Sequence, residues 1–306
     1  MEGEFDFIVV GAGTAGCVLA ARLTEDGRHR VLLIEAGGEA RSPWVQVPVG
    51  YARLLSNPRY NWMYTTTPEA GLYGRSIDQP AGRGLGGSGL INGMIYIRGQ
   101  PEDYDAWAAA GNPGWAWDDV LPWFRRSESN PRGDARLHGH DGPWAVSDLP
   151  HRHPLADAFV AAAAEAGIPR NDDFNGPRQE GAGYYQLTTR HGRRASTASD
   201  FLAPARKRTN LAIAADALAT RLLIENGRVC GVDYRQAGTV RQARAKCEVV
   251  LAAGTFNSPQ LLQVSGIGPA AHLRSIGVPV RFDAPGVGAN LHNHFRAPLV
   301  MRGARG

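Results

Sequence analysis

Apolar residues in this chain come in short blocks whose spacing separates strands from helices. Phe5 to Val10 is a short apolar, β-branched run, which predicts a buried parallel strand, and Thr14 to Thr24 follows as a helix. Arg30 to Ile34 predicts a second strand and ends in Glu35. Further on, Leu211 to Ile213, Ala217 to Glu225, Val229 to Arg235 and Cys247 to Leu251 predict strands, with Asn226-Gly227 as a hairpin turn. Pro154 to Gly167 is an alanine-rich amphipathic helix with proline in its first turn and glycine at its end. Ser258-Pro259 predicts another helix start, since serine accepts from free N–H groups and proline suits a first turn. Between these elements, 37–82 shows no sustained period and carries prolines at 43, 48, 58, 68 and 80. So long an irregular stretch inside a compact protein is usually functional, and a cofactor could support its backbone.

Composition narrows the class. A chain of 306 residues can bury a large core, in one large domain or two intertwined ones. Its hydrophobic share of 43% beside 20% charged residues is that of a globular protein. No apolar run reaches the roughly 18 residues of a membrane span, and no basic segment precedes an apolar one at the start, so the cytoplasm is the expected compartment. The net charge of +4 comes from scattered arginines, without the basic, aromatic-interleaved face that nucleic acid requires. Cys17, Cys230 and Cys247 are expected as small core residues in a reducing compartment. His138/His140, His151/His153 and His292/His294 share H-x-H spacing, but they sit in loop-like stretches without cysteine partners, so no metal site is assigned.

Two glycine-rich stretches carry the candidate chemistry. Gly11, Gly13 and Gly16 form G-x-G-x-x-G between strand and helix, where a pyrophosphate binds the helix N-terminus, and Glu35 stands where a carboxylate meets a ribose. This leaves FAD and NAD both open. Gly82 to Gly99 is the second, with five glycines in eight residues and then an apolar, helix-like run. It is not a serine nucleophile elbow, because Leu90 stands where G-x-S-x-G needs glycine.

Gly82 to Asp105 resembles the first signature of the glucose–methanol–choline (GMC) oxidoreductases, through Gly82-Arg83, Leu85-Gly86-Gly87-Ser88, Ile91-Asn92, Tyr96, Gly99 and Asp105. Gly254 to Gly268 is similar to the second signature, and 114–128, 138–143 and 286–291 also match. The resemblance is nearest to the bacterial alcohol and choline dehydrogenase branch. It implies a Rossmann-like α/β FAD-binding domain over 1–295, discontinuous, with a substrate-cap insertion around 150–195, and the start of an α+β substrate domain at 296–306. The implied reaction is oxidation of an alcohol carbon by hydride transfer to flavin N5.

By matching positions, the resemblance places the pyrophosphate at Gly11, Gly13, Thr14, Ala15 and Gly16, and the adenosine ribose at Glu35 and Ala36. Arg83, Gly86, Gly87 and Ser88 fall on the phosphate and flavin side, Asn92, Gly93, Met94 and Ile95 along the isoalloxazine ring, and Ala219 beside adenine. Some members bind FAD covalently through a histidine where this chain has Ile91, so noncovalent FAD is expected. Asn293 stands where the family usually has aspartate before His294. Family members run on to a C-terminal segment with the active-site histidine, whereas this chain stops at Gly306. No catalytic residue is therefore assigned, and a complementary C-terminal half is an expected partner beside a small alcohol and an electron acceptor left open. The alternative is a flavin-binding or partner-binding module that does no chemistry alone.

Overall fold

The computed structural model describes residues 3–294 and 300. They fall into two compact units, one up to Gly254 and one from Thr255 onward. The first is built on a six-stranded sheet of β1 (Gly3–Val10), β2 (Val31–Ile34), β3 (Leu211–Ala214), β4 (Ala217–Glu225), β5 (Arg228–Gln236) and β6 (Thr239–Leu251), in the order β3-β2-β1-β6-β5-β4. The first four in that order run parallel, with Ala214 opposite Ile34, Ile34 opposite Val10, and Val10 opposite Leu251. Four C-terminal strand ends thus share one edge. The order reverses direction at β1, which is where open α/β sheets place their ligands.

All four residues of β2 are buried, as expected of a parallel strand covered on both faces. Helix α1 (Thr14–Leu23) packs on the sheet through Cys17 and Ala20, closing a core with Val9, Ala12, Val31, Leu33, Leu85 and Leu202. Antiparallel β4, β5 and β6 form a meander. Its first turn is Asn226-Gly227 as expected, and both residues are left-handed (φ 51° and 75°). Its second is Ala237-Gly238 (φ 49° and 79°), which joins β5 to a β6 that begins at Thr239, well before Cys247. The polar stretch Arg241 to Lys246 hid this half of the strand, because its outward face is solvated. Cys247 is exposed, contrary to the expectation for a core cysteine.

Helices α2 (Pro101–Ala109), α3 (Trp117–Ser127) and α4 (Pro154–Glu165) decorate the first unit. His153 caps α4, its ring nitrogen accepting from the Leu155 N–H at 3.2 Å. The irregular 37–82 stretch contains short turns, including helical ones at Pro43–Gln46 and Tyr51–Leu54, and one antiparallel pair of two-residue strands, Tyr64–Thr65 and Asp78–Gln79. The apolar run after the second glycine stretch is not a helix. A 3-10 turn at Gly87–Leu90 gives way to the two-residue strand Ile95–Tyr96, because Met94 is left-handed (φ 62°) and the Asn92 side chain accepts its N–H.

In the second unit, α5 runs from Gly254 to Val264, so its start precedes Ser258 by a turn and Pro259 lies inside it. Proline there, in the second turn, removes the donor that would otherwise reach the Thr255 carbonyl. Helix α6 (Ala270–Ser275) follows, and the two-residue strands Ile267–Gly268 and Phe282–Asp283 pair in parallel. The expected substrate-domain start at 296–306 lies outside the described residues, apart from Val300.

The crossing of β1 and α1 depends on Gly16, where a Cβ would stand 1.8 Å from the Gly11 carbonyl oxygen. Gly16→Ala is expected to cost roughly 3 kcal/mol of stability through forced separation of helix and strand. Urea unfolding measures this, and a loss below about 1 kcal/mol would show that the packing is looser than described.

Candidate functional site

Three loops meet at the C-terminal edge of the parallel strands, and Glu35 joins them. Its Oε2 accepts from the Ala12 N–H at 2.9 Å, and its Oε1 accepts from Gly37 at 2.8 Å and Gly84 at 3.0 Å. The β1–α1 turn, the end of β2 and the second glycine stretch therefore share one buried carboxylate. Burial raises its pKa, against the opposing pull of those N–H groups and of Arg83. The sequence pattern assigns Glu35 to a ribose; here its bonds go to backbone, with acceptor capacity remaining for one further donor.

The two glycine stretches touch. The Gly86 N–H donates to the Ala12 carbonyl at 2.7 Å, and a Cβ on Gly87 would stand 2.6 Å from the Cα of Gly13. Gly11, at φ 100°, leaves no room either, since its Cβ would meet the Ala252 carbonyl oxygen at 2.5 Å. Gly13 differs. Its φ of −72° suits any residue, and its nearest neighbour in the Cβ direction is 3.9 Å away. Packing does not demand glycine there, so the open side fits an approaching ligand. Behind it, α1 begins with no side-chain cap and no acidic residue in its first turn, and Thr14 and Ala15 are exposed. Free N–H groups without competing carboxylates form an anion cradle, so the residues present fit a pyrophosphate.

The remaining expected positions lie in the second glycine stretch, its exit and the start of β4. Arg83 lies over the Trp62 ring at 5.1 Å, and its Nη2 reaches the Ala36 carbonyl at 3.5 Å. Ser88 is exposed, but its hydroxyl accepts from the Gly82 N–H at 3.0 Å, which makes it a loop brace. Asn92, Gly93 and Ile95 are exposed, whereas Met94 is buried and its carbonyl accepts from the Thr188 N–H at 2.8 Å. Ala219 follows Ala217, whose N–H donates to the Glu35 carbonyl at 2.8 Å, so the start of β4 joins the same edge.

Two clusters were missed by sequence reasoning. Arg194 is buried and donates to the carbonyls of Val45, Gly89 and Asn92 and to the Asn92 side chain, which braces the exit of the second glycine stretch. The other is a buried polar network. Arg98 pairs with Glu128 at 2.5 Å, and the His138 ring bonds Glu128 at 3.0 Å and Asp173 at 2.9 Å. Asn130 bonds Glu128 at 2.9 Å and Gln186 at 2.8 Å. Only the H-x-H pattern drew attention to His138, and its partners lie 10 and 35 residues away. Both ring nitrogens are engaged by carboxylates, which also removes it from metal binding. Among the described residues no group of three or more His, Cys, Asp or Glu side chains could hold a metal ion, and no helix is long and apolar enough to cross a membrane.

The glycine cradle and the carboxylate beneath it lie within residues 5–296, the span over which the GMC oxidoreductase profile matches this sequence. The chain belongs to the GMC oxidoreductase family. It is 46% identical over 291 residues to the oxygen-dependent choline dehydrogenase of Sinorhizobium fredii, covering 95% of this chain and 53% of that relative. The oxygen-dependent choline dehydrogenase of Photobacterium profundum is 46% identical over 297 residues, covering 96% and 52%. Among solved structures, pyridoxine 4-oxidase from Mesorbium loti superposes with a TM-score of 0.88 at 38% identity, covering 92% of this chain and 55% of that one. An FAD-dependent oxidoreductase from Chaetomium thermophilum gives 0.86 at 34% identity, covering 92% and 51%. The chain spans about half the length of these relatives.

The His138 network predicts a pH dependence. Burial disfavours its charge, but hydrogen bonds to Asp173 and Glu128 outweigh this and lift its pKa from 6.5 to about 9. Because the folded value lies above the unfolded one, the stabilisation is complete below about pH 6.5 and is lost as pH rises through about 9. Thermal unfolding of the wild type is expected to lose on the order of 2 kcal/mol between pH 6 and 10, and His138→Gln to flatten that profile. A variant with the unaltered profile would remove His138 from this role.

Proposed function

We propose that this chain is the nucleotide-binding part of an FAD-dependent oxidoreductase that acts on the CH–OH group of a small alcohol of the choline or primary-alcohol type. The observation that carries the reading is the open side of Gly13 beside an uncapped helix N-terminus, closed from behind by Gly87. Bound FAD would supply the ring that takes hydride from the alcohol carbon. The chain's own residues do the holding. N–H groups of the first turn of α1 bind the pyrophosphate, the spare acceptor of Glu35 meets a ribose hydroxyl, and the start of β4 near Ala219 borders the adenine. Asn92 to Ile95 line the ring, and residues 150–195 form a cap over the substrate.

Attachment is noncovalent in this reading. Ile91 has no nucleophilic atom and is buried with Val45, Leu54, Tyr60 and Leu90. No described histidine is assigned as the base that takes the alcohol proton. His138 is excluded positively, since carboxylates occupy both of its nitrogens. That the chain spans about half of its relatives supports a second reading, a flavin-binding module whose chemistry needs a complementary segment.

The absorption spectrum of the purified chain, with FAD added, tests both. Flavin bands that pass through a filter after heating agree with noncovalent binding, and alcohol-dependent bleaching separates the enzyme from the module. In the same assay Gly13→Ala is expected to unfold within about 0.5 kcal/mol of wild type yet bind FAD at least about tenfold more weakly. Unchanged FAD affinity in this variant would mean that the pyrophosphate lies elsewhere.

A further inference from the structure

Arg194 is a buried guanidinium group in the first unit, and its surroundings are unusual in kind. Its Nε donates to the Val45 carbonyl at 3.0 Å, Nη1 to the Gly89 carbonyl at 3.2 Å and to Asn92 Oδ1 at 2.6 Å, and Nη2 to the Asn92 carbonyl at 2.9 Å. Every partner is a neutral oxygen. Arg98, the comparable buried arginine, has Glu128 at 2.5 Å, whereas Arg194 forms no ion pair with a described carboxylate. Buried cations are ordinarily paired, because leaving water without a counter-charge is costly.

The bonds to Asn92 also orient its amide. Oδ1 accepts from Arg194 and from the Met94 N–H at 3.2 Å, so the oxygen faces inward and the NH2 end is turned away from the protein, on an exposed residue. Gly89, held by the same guanidinium, stands against the first turn of α1: a Cβ there would lie 3.2 Å from Thr14 Oγ1. The cation therefore underlies the stretch between the anion cradle and Asn92 to Met94.

We propose that Arg194 is a positioning residue of the cofactor site: it presents the Asn92 NH2 outward and leaves an unneutralised positive charge behind it, which favours a bound flavin as it gains negative charge on reduction. This rests on the functional reading above. Hydrogen bonds polarise one another in series, so a guanidinium on Oδ1 makes the NH2 end a stronger donor. The charge acts over a short path through protein, where screening is weaker than in water.

The test is the two-electron midpoint potential of FAD bound to the full chain, measured by equilibration with a reference dye, alongside FAD affinity by fluorescence. Arg194→Met removes the charge and is expected to lower the equilibrium constant for flavin reduction about tenfold, which corresponds to about 30 mV. Arg194→Lys keeps the charge but cannot reproduce the fork. It is expected to hold a potential near wild type while binding FAD more weakly. Should Arg194→Met fail to accumulate, Arg194→Gln removes the charge, keeps a donor and reads the same potential. A neutral variant with the wild-type potential overturns the inference, as does a lysine variant whose potential falls as far as that of methionine. A wild-type chain that takes up no FAD brings down the functional reading itself, and this inference with it.

Discussion

One carboxylate holds the site together. Glu35 accepts from the N–H groups of Ala12, Gly37 and Gly84, which belong to the β1–α1 turn, the end of β2 and the second glycine stretch. Hydrogen bonds to a charged acceptor contribute about 1.5–3 kcal/mol each, enough to offset the burial of one carboxylate only when several converge. Everything at the sheet edge takes its position from this point: the turn that opens α1, the glycine stretch stacked on it, and the start of β4 that donates back to the Glu35 carbonyl.

The rest of the first unit solves a backbone problem. Long irregular stretches carry donors and acceptors that a sheet would have paired, and each must find a partner once buried. Arg194 answers for 45–92 with bonds to three carbonyls, and Arg98, Asn130 and Asn175 answer for the 96–186 region. Asn175 alone accepts from the Arg98 N–H at 2.7 Å and donates to the Tyr96 carbonyl at 3.1 Å. Such polar bracing fixes loop geometry at a cost in bulk stability that an apolar core would not incur.

Much of the fold was legible in the residues. The strand from Phe5, the helix from Thr14, the buried β2 and the Asn226-Gly227 turn each announce themselves locally, through apolar runs and positive-φ residues. The glycine positions were legible for the same reason. What stayed hidden depends on contacts distant in sequence. The polar half of β6 is a strand only because β1 and β5 flank it. Arg194 looked like one of several surface arginines, and nothing near it in sequence signals that Val45 and Asn92 would enclose it. His138 was noticed for its neighbour at His140, yet its chemistry comes from Glu128 and Asp173.

The parallel half of the sheet has a consequence for the order in which the chain assembles. β1 and β2 are adjacent in sequence, but β2 finds its other neighbour at residue 211 and β1 finds its other neighbour in a strand ending at residue 251. Closing loops that long is slow, and these two pairings cannot begin until the distant strand exists. During synthesis the glycine turn emerges some 240 residues before Ala252, the residue after β6 that packs against Gly11. The glycine turn is therefore completed only long after its own residues have been made.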